Sequence, residues 1–306
     1  TLGEKIMRQA ENKVIIEGIL SEIDLKYGTF NKNGTQMKSI GGNIKIRVTQ
    51  EINKEEKQLE IPIQMFASEL TNKGTKNPAY ESIEKVMNEF VSIAAAGEEN
   101  ADRVRINSGQ IKMNEYWSAS EQLISYPRVN ASFITRIKKD EMKSKATFAV
   151  EFVVANKIAE VDKDGVETGR IKVQGVLPQW GDKVDIIPFY AASAGVIDAV
   201  SNYWNDGDTV KASGKLDFSS QTETVYEEVD FGEPIEKSRT INVSDLIITG
   251  GSQTPLEGDF AFSTDEIKNA LAARKADLEA RKAKDMSRSK SRTAPAQSGL
   301  GSDLGF

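Results

Sequence analysis

The 306-residue chain contains no cysteine and no histidine. Disulfides, thiolate nucleophiles and Cys/His zinc centres are therefore excluded, and so is the usual general base near neutral pH. No run approaches the roughly 20 apolar residues of a membrane-spanning helix. The opening residues Thr1-Leu2-Gly3-Glu4-Lys5 lack the apolar core of a secretion signal, so none is expected. Glycine-rich phosphate loops are also missing. Asp162-Lys163-Asp164-Gly165 begins like a calcium loop, but Val173 stands where the distal glutamate belongs. The stretch reads as a hairpin turn. Enzymatic chemistry would have to rest on carboxylates, lysine or serine alone. The acids Glu227, Glu228 and Asp230 carry no mark of an acid/base pair. Neither catalysis nor a cofactor nor a metal is expected.

Hydrophobic residues make up 39% of the chain, which excludes wholesale disorder. There are 46 acidic against 40 basic side chains, a net charge of −6. That balance argues against a uniformly basic nucleic-acid coat and leaves room for a local basic groove.

Residues 1–12 read as a short N-terminal extension, a frayed helix. A period-2 pattern then begins with Val14 and Ile16, and Lys26 to Gly34 reads as a turn-rich loop. Asn43 to Thr49 alternates Ile44, Ile46 and Val48 with Lys45 and Arg47, a strand. Leu59 to Phe66 is another, with Pro62 suggesting an edge or bulge. Tyr80 to Ala95 has helical spacing after Pro78, and Arg103 to Met113 returns to strand. The second half runs in the same order: strands at Arg128–Ile137, Thr147–Val154, Arg170–Leu177 and Lys183–Phe189, a helix at Ser193–Trp204, then strands at Asp208–Phe218 and Ile241–Thr249.

Two short matches share that order. Glu60 to Ser68 parallels Asp185 to Ser193, both ending in Ala-Ser. Asp102 to Ile111 parallels Asp208 to Leu216, both carrying Ser-Gly. The pattern predicts a mostly β chain with two tandem Greek-key barrels of the OB-fold kind, each with one helix between its third and fourth strands. They span residues 13–117 and 126–250. The Ser-Gly glycine would let the fourth strand bend around a barrel corner. A linker and a solvated helix follow at 251–285. Phe260 and Phe262 are candidates to pack on the body. A disordered tail follows at 286–306.

Basic and aromatic residues are the candidate site. If the strands at Asn43–Thr49 and Arg103–Met113 are neighbours, Lys45, Arg47, Arg103 and Arg105 line one face able to track a phosphate backbone. Tyr27 and Phe30, beside Lys26, Lys32 and Lys38, could stack on bases, and Lys112 continues the strand. The second half offers Arg136, the loop lysines Lys138, Lys139, Lys143 and Lys145, then Lys172, Lys211, Lys215 and an exposed Trp180. Residues 281–292 hold six basic side chains against one acid, Asp285.

On these features the chain resembles the single-stranded DNA-binding proteins, in a form like that of bacteriophages. The two OB-like blocks, the run from Val210 to Leu216 and the tail ending in Phe306 carry the resemblance. It implies sequence-independent binding and protection of single-stranded DNA in the cytoplasm during replication, recombination or repair. It also implies a tail tip, Asp303, Leu304 and Phe306, that recruits replication or recombination proteins. The family's tips are strongly acidic, whereas Asp303 is the only acid among the last six residues here. Residues 126–250 carry 20 acids against 15 bases, which weighs against strong binding by the second block. The competing expectation is a β-rich structural or assembly protein of a virion that binds no nucleic acid.

Overall fold

The computed structural model describes residues 7–32, 34–162, 164–227 and 235–293. Alternation dictates its strands. Strand β1 (Asn12–Lys32) buries Val14, Ile16 and Leu20, and β2 (Thr35–Ile52) buries Ile44, Ile46 and Val48. β3 (Glu55–Ser68) sends Leu59, Ile61, Ile63 and Met65 inward. Helix α1 (Pro78–Glu89) starts where Asn77 Oδ1 accepts the Ala79 N–H at 3.0 Å, with Pro78 in the first turn. Its buried stripe is Tyr80, Ile83 and Val86. A short helix α2 (Ile93–Ala96) leads to β4 (Arg103–Trp117), β5 (Leu123–Asn130) and β6 (Thr135–Arg136).

These strands form a ring. β1 pairs with β2, β2 with β3, β3 with β5 in parallel, β5 with β4, and β4 again with β1. A second ring follows with the same order. Its strands are β7 (Lys145–Val161), β8 (Glu167–Pro178), β9 (Val184–Ala191), β10 (Thr209–Asp217) and β13 (Asp245–Gly251). β7 pairs with β8, β8 with β9, β9 with β13 in parallel, β13 with β10, and β10 with β7. Helix α3 (Ala194–Tyr203) lies between β9 and β10, as α1 lies between β3 and β4. A hairpin of β11 (Ser220–Glu227) and β12 (Ile235–Asn242) interrupts the second ring. Helix α4 (Thr264–Thr293) ends the described chain.

The Ser-Gly glycines sit at matching corners. Gly109 pairs with Val14 in the first ring and Gly214 with Phe148 in the second, each beside a register shift. A Cβ on Gly214 would lie 2.0 Å from the Ile247 carbonyl oxygen and 2.5 Å from Phe148 Cζ. Neither neighbour can retreat, because one is backbone and the other is core. Gly214→Ala is expected to destabilise by about 1–3 kcal/mol, the usual range for overpacking. Chemical denaturation checks it; an unchanged midpoint would show that the corner relaxes.

The rings join where β1 pairs with β7, from Asn12↔Val150 to Glu17↔Lys145. Buried Gln50 binds the Leu216 carbonyl and the Ala146 N–H across the junction. Glu17, only 3% exposed, holds Arg105 of the first ring at 3.1 Å and Lys145 of the second at 3.2 Å. Burial alone would raise its pKa. The Lys143 N–H, Arg105 and Lys145 outweigh burial and hold the carboxyl below its usual 4.5. Its contribution is therefore complete at neutral pH and is lost as the pH falls through the lower folded value. Glu17→Gln is expected to lower stability by about 2 kcal/mol at pH 7, less than a fully buried pair because Arg105 and Lys145 are about a third exposed. The difference from wild type should shrink as the pH falls below the ordinary carboxylate range and vanish once it is below the lowered folded value. A deficit that persists there in denaturation curves would show that Glu17 acts through packing.

Several sequence expectations are corrected. Residues 7–11 are not helical; Met7 N–H binds Asp182 Oδ1 at 2.8 Å and Ala10 N–H binds the Pro178 carbonyl. Lys26 to Gly34 is no loop. Lys26–Lys32 pairs with Thr35–Gly41 as a two-stranded arm, whose weak alternation reflects two solvated faces. Pro62 does stand at a sheet edge, as expected: it pairs with Lys45 of β2, and β5 meets β3 only at Ile63 and Gln64. The strand expected at Arg128–Ile137 lies instead at Leu123–Asn130 and closes the first ring. Met286–Thr293 is helical, because good helix formers extend α4 and Ser289 Oγ binds the Trp117 carbonyl. Nor is α4 merely solvated: Ile267, Ala270 and Leu278 are buried. Phe262 packs inward, while Phe260 is exposed.

Candidate functional site

The four cations do not lie on neighbouring strands. β1 runs between β2 and β4, so Arg47 and Arg103 stand in one cross-strand row on either side of Ile19. Each is already occupied. Lys45 pairs with Glu22 at 2.6 Å, and Arg47 with Glu60 at 2.6 Å and Glu98 at 3.1 Å. Arg105 pairs with Glu17, and Arg103 donates to the carbonyls of Glu98, Glu99 and Ala101. Arg136 pairs with Asp102 at 2.9 Å and lies over the Phe90 ring. Lys138 meets Glu141, Lys139 meets Glu99, and the Lys143 N–H binds Glu17.

A different surface emerges from the register of β4 and β5. The pairs Gln110↔Asn130, Lys112↔Arg128, Asn114↔Tyr126 and Tyr116↔Ile124 share one face, opposite buried Ile111 and Val129. β3 adds Gln64, which pairs with Asn130. Gln64, Gln110, Asn130 and Lys112 line a groove of about 410 Å³ walled by Phe66 and Phe133. Both rings are open to solvent, at 56% and 48% exposure. Phe30 of the arm packs edge-on against Phe66 with centroids 5.8 Å apart. Lys26 lies in the same cross-strand row, separated from Phe66 by Gly41 alone. At about 3.4 Å per residue the strip from Gln110 to Tyr116 is roughly 20 Å long.

β4 and β5 place no carboxylate on this face; the arm brings Asp24, which pairs with Asn43 beside Gln64. Arg8, Arg47, Arg105, Arg136, Arg170 and Arg274 each hold an acid. Arg128 holds only Asn114 Oδ1, at 3.0 Å. Burial pulls the Arg128 pKa below its ordinary value, with Tyr126 and Asp185 pulling it back. Its Nε and the Asn130 Oδ1 are buried without hydrogen-bond partners. Such a desolvated cation beside an unsatisfied amide is costly unless an anion or a polar ligand completes it. Lys112 makes no ion pair among the described residues.

The second ring differs at the same positions. Counting on from Gly109 and Gly214, the pair Gln110↔Asn130 corresponds to Lys215↔Ile247, and Lys112↔Arg128 to Asp217↔Asp245. Two acids thus replace two bases. Asp217 binds Lys57 of the first ring at 2.8 Å, and Lys215 binds the Glu51 carbonyl at 2.5 Å. The tip of the β2–β3 hairpin therefore covers this face. Arg170 is clamped by Glu160 at 2.5 Å and Asp245 at 2.8 Å and lies over the Tyr190 ring. Burial, with Asp245 and Glu160, pushes the Tyr190 phenol up to about 12. Lys172 pairs across strands with Tyr190, Lys211 meets Glu11 at 3.4 Å, and Trp180 stands 80% exposed on a remote turn.

Of the expected residues, Lys26, Phe30 and Lys112 meet at the strip. Tyr27 is nearby but donates to Glu84, Lys32 to Asn72, and Lys38 pairs with Glu69. Sequence reasoning missed Gln64, Phe66, Tyr126, Arg128, Asn130 and Phe133. Phe66 carried a usable signal, because it falls on the solvent parity of β3 with Pro62 and Gln64. The tail residues Asp303, Leu304 and Phe306 lie outside the described residues. Among the described residues no group of three acids could hold a metal ion, and no helix is long and apolar enough to cross a membrane.

A family model described as YorF matches residues 10–284. The chain belongs to the YorF family. No curated protein matches this YorF chain. Among solved structures, it is similar to the wild-type single-stranded DNA binding protein from Thermus aquaticus, with 10% identity and a TM-score of 0.49 over 82% of this chain and 96% of that one. A deletion mutant of the same Thermus aquaticus protein gives 11% identity and a TM-score of 0.46 over 82% and 97%. The likeness is one of coarse, mostly β architecture.

Proposed function

We propose that the chain is a non-catalytic binding protein for single-stranded DNA, and that the strand lies along the β3–β5–β4 face of the first ring. The β4–β5 strip, to which neither strand contributes a carboxylate, carries the reading. In a chain of net charge −6, chance would scatter acids over any face of this size. Here Lys26, Lys112 and Arg128 alternate with Phe30, Phe66, Phe133, Tyr126 and Tyr116. Cations answer phosphates, and each exposed ring offers a stacking platform worth about 1–3 kcal/mol per base. Gln64, Gln110 and Asn130 present amides to base edges without favouring one base.

Each ring is read as an OB-fold barrel. The order β1–β2–β3–β5–β4 with a helix between the third and fourth strands supports this, and such barrels commonly bind oligonucleotides on the face of strands two and three with the loops that join strands one to two and four to five. The first domain then runs from Asn12 through Arg136 and the second from Lys145 to Gly251. Only the first binds, and the second braces it. Keeping replicating or recombining DNA unpaired is the role such binding serves.

The test is fluorescence anisotropy of a labelled oligo-dT of roughly 30 nucleotides against duplex of equal length, across a salt series. Tight single-strand binding that weakens with salt and is poor for duplex is expected. No binding at low salt would overturn the proposal and leave a β-rich assembly protein.

A further inference from the structure

The strip ends at the β4–β5 turn, and there the structure brings in α4. Arg274 pairs with Glu115 on the back of the hairpin. The Trp117 indole N–H donates to the Leu278 carbonyl at 2.9 Å, and Lys282 lies over the same ring at 4.6 Å. Lys282 also meets Glu121 in the turn, and Ser289 Oγ binds the Trp117 carbonyl. The helix is thus fixed to the reverse face of the hairpin and passes its tip between Lys282 and Ser289. That stretch opens the basic run of 281–292, with six cations and one acid. Lys284 and Arg288 are exposed on it.

Charge of this density needs a reason in an acidic chain. Helix propensity supplies none, since alanine or glutamate would serve as well. Docking supplies only part: within the run Lys282 meets Glu121 and the Trp117 ring, and Arg281 pairs with Asp277 along the helix. Lys284 is exposed and makes no ion pair among the described residues.

We propose that this α4 segment is a second nucleic-acid contact, which takes the phosphodiester backbone of a strand after it leaves the strip at the hairpin tip. The inference rests on the reading of the strip as a single-strand site. The strip presents amides and aromatic rings beside its cations, so it engages bases. The helix presents cations without exposed rings, so it engages phosphates alone. Its contribution is sequence-independent, salt-sensitive and confined to strands long enough to pass the turn.

Length dependence separates the two sites. Anisotropy titrations would compare Lys284→Glu/Arg288→Glu with wild type on oligo-dT of about 6 and about 20 nucleotides, lengths that span the usual site of one such barrel. The variant should bind the short oligonucleotide as wild type does. It should lose about tenfold affinity for the long one at low salt. Its salt slope on the long strand should be shallower by about 1.4, at roughly 0.7 per lost single-strand phosphate contact. Equal affinity of wild type and variant for the long strand would overturn the inference while leaving the strip intact. An equal loss on both lengths would also overturn it, by placing the cations at the strip itself. Failure of the wild-type protein to bind either length would instead sink the reading on which it rests. Thermal melting of the variant confirms that the exposed substitutions leave the fold unchanged.

Discussion

Replacing Lys112 by glutamate and Arg128 by glutamine together is expected to lower affinity for oligo-dT about a hundredfold or more at about 0.1 M salt. Hydrogen bonds to charged groups contribute about 1.5–3 kcal/mol each, and two are removed. The salt slope should fall by about 1.4, the signature of two lost phosphate contacts. Stability should hold or rise slightly, because Arg128 is desolvated with no carboxylate hydrogen-bonded to it, and burial outweighs the pull of Asp185. Lys172→Glu/Lys211→Glu in the second ring is the matched control and should bind as wild type. Comparable losses in both variants would mean that bulk charge, and not the strip, governs binding.

The second large effect is on stability. Phe152→Ala is expected to cost about 3–5 kcal/mol, the range for emptying a buried aromatic site. Phe152 is fully buried, stacks on Phe189 with centroids 4.6 Å apart, and takes the edge of Trp204 at 5.9 Å. Gly175 leaves no Cβ between these rings, since one would sit 2.6 Å from Phe152. The surrounding strands close on themselves, so the void cannot collapse by sliding a layer. If the second ring braces the first, this variant should also weaken DNA binding on warming, even though Phe152 lies far from the strip. Urea denaturation checks the magnitude; a loss under about 1 kcal/mol would show that the ring interior repacks.

Strand positions were largely legible because burial on one face of a strand writes itself as alternation. Ile44, Ile46 and Val48 gave β2, and Phe148, Val150, Phe152 and Val154 gave β7. The repeated Ser-Gly also led to the corner that Gly109 and Gly214 occupy. What the sequence hid was adjacency. Lys45, Arg47, Arg103 and Arg105 have the right parity for a shared face, but parity does not say which strand lies between. β1 does, and its Glu17 and Glu22 neutralise two of the four. The strip was invisible for the same reason. Its residues come from β3, β4 and β5, and only register puts Gln64, Asn130 and Gln110 side by side. Arg128 looked like any surface arginine until its lack of an acid could be seen. The arm at Lys26–Lys32 and the end of α4 were misread because both are polar throughout, and polar composition alone does not distinguish a solvated element from a loop.

Mapping the contact directly decides the central claim. The full chain would be photo-crosslinked to oligo-dT and the adducts located by peptide mass spectrometry. Adducts at Phe66, Tyr126, Phe133 and Tyr116, with none at Trp180 or Tyr190, are the predicted result. Adducts confined to the second ring, or to Tyr27 and the arm alone, would contradict the account.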